Sequence, residues 1–88
     1  MTWSVEFDDR ARKELRKLDP AVQREILRYL RERIATTADP CRFGKAYLGE
    51  RAGLWRYRVG SFRLICSIEE ASSTVVVIAV GHRREVYD

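Results

Sequence analysis

The chain reads as a single α+β domain: an N-terminal strand, a helical hairpin, then a three-strand antiparallel meander, forming one four-stranded sheet. Three observations predict this. Apolar residues alternate at period two in 3–7, 54–59 and 62–69, and they recur at helical spacing in 11–34. The stretches between carry the Gly, Pro and Asp residues that interrupt regular structure. With 88 residues, 45% of them hydrophobic and 34% charged, one core is within reach and the composition is far from a disordered one. The domain is therefore taken as 1–88.

The elements follow in order. WSVEF at 3–7 places Trp3, Val5 and Phe7 on one face of a short strand. Asp8 or Asp9 can cap a helix whose apolar positions are Ala11, Leu15 and Leu18. Asp19-Pro20 is a second start signal, an N-cap aspartate followed by proline at the first helical position. Val22, Ile26, Leu30 and Ile34 then recur every four residues, with Leu27 and Tyr29 widening the stripe. Residues 36–53, with Pro40, Gly44, Gly49 and Gly53, read as a loop. Strands are predicted over Leu54–Val59, Phe62–Glu69 and Thr74–Val80, joined by turns at Gly60-Ser61 and 70–73. The last strand is apolar on both faces and so belongs in the interior of the sheet.

WRYRVGSFR at 55–63 sets three arginines around a Gly-Ser pair. Glycine first in a two-residue loop suits a type II′ hairpin turn. That register pairs Val59 with Phe62, Arg58 with Arg63, Tyr57 with Leu64 and Arg56 with Ile65. Directly opposed residues share a face, so Trp55, Tyr57, Val59, Phe62, Leu64 and Cys66 form a core face. Arg56, Arg58 and Arg63 share the other. Opposed like charges cost about 0.2–1 kcal/mol unless an anion lies between them. Three solvated arginines splayed apart are one reading of this face. An anion site is the other, and it is favoured because guanidinium forks match phosphate oxygens.

Charge distribution by itself fits either a polyanionic partner such as nucleic acid or a soluble basic surface with no ligand. The net charge is +4, and residues 42–63 carry six basic side chains (Arg42, Lys45, Arg51, Arg56, Arg58, Arg63) against Glu50 alone. The tail GHRREVYD adds His82, Arg83, Arg84 and Tyr87. His82 is a candidate acid or base, though a lone histidine is more often structural. Cys41 and Cys66 lack CxxC spacing and read as reduced thiols of a cytoplasmic protein. Two cysteines and one histidine make no ligand set, so neither a metal nor a cofactor is expected. The first residues lack the apolar region of a signal peptide, and the longest apolar run, VVVIAV at 75–80, is too short to span a bilayer, so no membrane partner is expected.

Taken together, FDDRARKELRKLD near the N-terminus, WRYRVGSFRLICSI at 55–68 and VGHRREVYD at 80–88 resemble the RelE/ParE superfamily of bacterial toxins along essentially the whole chain. The resemblance implies a RelE-like domain whose RelE-type members are mRNA interferases, cleaving messenger RNA in the ribosomal A site. It also implies a cognate antitoxin, with operator DNA bound, if at all, only through the antitoxin complex. Carried over by position, the catalytic set is Arg56, Arg58, Arg63, Arg83 and Tyr87, with His82 beside it. Lys45, Arg51 and Arg84 would bind RNA. RelE-type ribonucleases often carry lysine at the positions of Arg56 and Arg58. Arginine stays protonated, so here these positions stabilise charge rather than accept a proton. The ParE-type branch, which poisons DNA gyrase without cleaving RNA, is the alternative. It generally lacks the full basic-plus-tyrosine set, which tilts the reading towards RelE.

Overall fold

A computed structural model of the chain describes residues 2–82. Its elements are β1 (Ser4–Phe7), α1 (Asp9–Arg16), α2 (Pro20–Tyr29), β2 (Lys45–Ala46), β3 (Leu54–Val59), β4 (Phe62–Glu69) and β5 (Thr74–His82). The strands form one sheet in the order β1-β5-β4-β3-β2. The class is α+β as expected, with five strands rather than four. The addition is β2, which pairs antiparallel with the outer edge of β3 through Lys45 opposite Arg56 and Ala46 opposite Trp55. Two residues are too few for an alternation signal, which is why a sequence rich in glycine around them reads as loop.

Local chemistry sets the helix starts. The Asp8 carboxylate accepts from the Ala11 N–H at 2.9 Å and caps α1. Asp19 occupies the N-cap position of α2 ahead of Pro20, but its side chain makes no capping bond. A spacing of four residues drifts by about 40° per step around an α-helix. The chain offsets this by widening at Leu30–Ile34 into a π-turn, closed by Ala35 N–H donating to the Leu30 carbonyl at 2.8 Å. Leu30 and Ile34 consequently both stay in the core. Leu27, expected to widen the stripe, is instead 45% exposed.

The helices cover one face of the sheet. Ala11, Leu15, Ile26, Leu30 and Ile34 pack against Tyr57, Val59, Leu64, Cys66, Val75, Val77 and Val80, with Trp3, Val5, Phe7, Trp55 and Phe62 partly buried around them. β5 lies between β1, with which it runs parallel, and β4, with which it runs antiparallel. Beyond Phe7 its outer edge is closed by α1, where Glu14 Oε1 accepts from the Val80 N–H at 2.9 Å. The helix-free face is made of the alternate positions of the strands, with Val76, Ala79 and Gly81 of β5 beside Ser67, Ile65 and Arg63 of β4.

Candidate functional site

Of the two central residues in the β3–β4 turn, Gly60 alone has a positive φ, +60°, the pattern of a II′ turn. The register is the expected one, with Val59 opposite Phe62, Arg58 opposite Arg63, Tyr57 opposite Leu64 and Arg56 opposite Ile65. Because Tyr57, Val59 and Leu64 lie under the helices, Arg56, Arg58 and Arg63 take the other face together. Lys45 joins them from β2, directly across from Arg56.

These four cations surround a hollow of about 150 Å³, whose wall is completed by Phe43 and Tyr57. Lys45 and Arg58 are exposed, whereas Arg56 and Arg63 are half-buried. Arg58 Nε donates to the Gly60 carbonyl at 3.4 Å, a long bond that ties it loosely to the turn. Each ion contact at 4 Å is worth about 1 kcal/mol in bulk water and several times more where water is excluded. A phosphate entering the hollow would meet guanidinium groups from two strands already on one face.

Other sequence candidates lie apart from this hollow or beyond the described residues. Arg51, in the 3-10 turn Gly49–Arg51, does not line the hollow but shares the Tyr47 ring with Arg56. Arg83, Arg84 and Tyr87 lie outside the described residues. His82 pairs with Phe62 and meets its ring edge-on, with centroids 5.6 Å apart. Since Phe62 belongs to the helix side of the sheet, His82 stands on the opposite face from Arg56, Arg58 and Arg63. The cause is a bulge: Ile65 pairs with Ala79 and Cys66 with Val77, so Ile78 is an extra residue on β5. Unbroken alternation from Val75 and Val77 would have turned His82 towards the arginines.

The thiols offer no nucleophile at neutral pH. Burial pushes the Cys66 thiol up to about 12, and burial with the neighbouring Asp39 carboxylate pushes Cys41 up to about 11. Burial also raises the Tyr57 hydroxyl, which donates to the Pro40 carbonyl at 2.9 Å. Cys66 has a consequence for stability. Its thiol binds a proton in the folded state over pH values at which the unfolded chain has released it, so stability falls as pH rises from about 9 towards 12, by up to about 1.4 kcal/mol per pH unit. Urea unfolding between pH 8 and 11 should show this decline, and Cys66→Ala should make it shallower. An unchanged slope in the variant would remove Cys66 as its source.

Two further aromatics border the site. Phe43 lies beneath the guanidiniums of Arg42, at 4.7 Å from the ring centroid, and Arg33, at 5.5 Å. Tyr47 lies beneath Arg51, at 5.5 Å, and Arg56, at 5.8 Å. The signal was present in RFGKAYLGER at 42–51, where basic and aromatic residues interleave.

Comparison with known proteins agrees with this architecture. Residues 5–87 match the family described as ParE toxin of type II toxin-antitoxin system, parDE. The chain is 32% identical over 87 residues to Toxin RelG of Mycobacterium tuberculosis (strain ATCC 25618 / H37Rv), covering 99% of this chain and 98% of that protein. The solved toxin-antitoxin complex RelBE2 from Mycobacterium tuberculosis contains a chain of TM-score 0.86 and 31% identity, covering 94% of this chain and 93% of that one. The intact E. coli RelBE complex gives TM-score 0.69 at 26% identity, covering 91% and 95%.

Proposed function

The chain belongs to the RelE/ParE superfamily of type II toxin–antitoxin toxins, and from that premise we propose that it is a ribosome-dependent endoribonuclease. In this reading it cleaves mRNA in the A site, by attack of a ribose 2′-hydroxyl on the adjacent phosphate, and a cognate antitoxin silences it. The observation that carries the reading is Arg63 directly opposite Arg58, with Arg56 and Lys45 around the same open hollow.

The roles follow from the chemistry. Arg56 and Arg58 orient and neutralise backbone phosphates. Arg63, which reaches the hollow from the neighbouring strand, takes the scissile phosphate and the charge that builds on it. Arg83 would stabilise the departing 5′ oxygen, and Tyr87 would position a base. Arginine cannot accept the 2′-hydroxyl proton, and His82 lies across the sheet. The protein thus contributes charge and alignment more than proton abstraction, and the ribosome supplies substrate geometry. Relatives solved with antitoxins support an antitoxin as partner. Its acidic side chains would compete with phosphate for the same guanidiniums.

The family match carries the ParE description, so inhibition of DNA gyrase is the second reading. One experiment separates the two. Folded protein is added to a reconstituted translation reaction, and mRNA 5′ ends are mapped by primer extension with and without ribosomes. The expected result is new ends within A-site codons only when ribosomes are present. Intact mRNA, with gyrase–DNA cleavage complexes accumulating in a parallel gyrase reaction with the same protein, would replace the nuclease reading with the ParE one.

A further inference from the structure

In the hollow Arg56 is set among like charges. It faces Lys45 across the β2–β3 ladder and shares its face with Arg58 and Arg63. Mutual repulsion drives such side chains outwards into water, and a preorganised phosphate site needs them held. An aromatic ring attracts a guanidinium through its quadrupole and leaves the cation and its peripheral N–H donors available.

Tyr47 supplies such a ring. It follows β2, two residues on from Lys45, which sets it on the same sheet face and diagonal to Arg56, within reach of a long side chain. Its N–H donates to the Leu54 carbonyl at 2.9 Å, fixing the backbone, and the residue is only 7% exposed. The Arg56 guanidinium lies 5.8 Å from the ring centroid and that of Arg51 lies 5.5 Å from it. The hydroxyl is buried and has no hydrogen-bond partner among the described residues. The ring, not the phenol, is what the surroundings use.

We propose that Tyr47 is a positioning residue whose ring is the platform that holds Arg56, with Arg51 as the second cation on it, in place for a backbone phosphate. The inference rests on reading the hollow as a phosphate site. Its test compares wild type, Tyr47→Phe and Tyr47→Leu by arginine side-chain NMR and by mRNA cleavage on ribosomes. The Arg56 Nε–H resonance of the wild type should be displaced by the ring current, and Tyr47→Phe should keep both that displacement and the wild-type kcat. Tyr47→Leu should lose the displacement and roughly threefold to tenfold in kcat, as expected for a partly desolvated cation–π contact. In an Arg56→Ala background the leucine variant should cost markedly less than it does in the wild type, an outcome that general loss of stability would not produce.

An Arg56 resonance at its random-coil position in the wild type overturns the proposal without recourse to any variant. So does a phenylalanine variant as impaired as the leucine one, which would assign the role to the hydroxyl. Should the wild type leave mRNA intact, the nuclease reading fails, and the spectra alone still decide whether Tyr47 holds Arg56.

Discussion

Arg63→Ala should lower ribosome-dependent mRNA cleavage by about 10²–10³-fold, the range seen when one preorganised donor to a developing negative charge is removed. Arg63 is the cluster residue contributed by β4, set directly across from Arg58 and lining the hollow with Arg56 and Lys45. The side chain belongs to the face away from the helices, so truncation removes no core packing, and stability should change by less than about 1 kcal/mol. Arg63→Lys should recover part of the activity, because it restores the charge without the planar fork. Thermal unfolding and single-turnover cleavage, measured on the same preparations, provide the check. A folded alanine variant that cleaves like the wild type would take the scissile-phosphate role away from this residue.

The second large effect lies behind the site, at Gly44. Its backbone, with φ −110° and ψ 176°, is extended and open to any residue. Space is the constraint. A β-carbon there would lie 2.9 Å from Tyr57 Cε1 and 3.0 Å from the Arg56 carbonyl oxygen. Tyr57 is 1% exposed, is bonded through its hydroxyl to Pro40 and meets Tyr29 edge-on at 6.5 Å, so the ring has nowhere to go. Gly44→Ala should therefore cost about 1–3 kcal/mol by overpacking. For a domain of this size that lowers Tm by at least several degrees. Because the strained contact includes the Arg56 backbone, cleavage should fall as well. An alanine variant that melts with the wild type would show that the loop at 40–44 yields easily.

Much of this molecule was legible from residue order. The ranges of β3 and β4 follow from period-two alternation, and their pairing follows from Gly60-Ser61, whose local conformation sets the register of everything in the hairpin. The caps and the proline that start α1 and α2 are equally local, although the Asp19 side chain proved unnecessary as a capping group. Leu27 went astray because helical spacing identifies an apolar stripe without showing where the sheet beneath it ends. β2 leaves no mark in residue order because a two-residue strand exists only through its partner.

Residue order alone places three arginines on one solvent-facing side of a hairpin, since that depends on a two-residue turn and on alternation within a dozen residues. What joins them depends on pairing between distant segments. His82 is turned to the helix side by an extra residue on β5, which shows only once β5 is paired with β4. Tyr47 reaches Arg56 only once β2 lies along the edge of β3. Both outcomes rest on contacts between separate strands. Such contacts form by burying a common core, and no local propensity of the residues concerned encodes them.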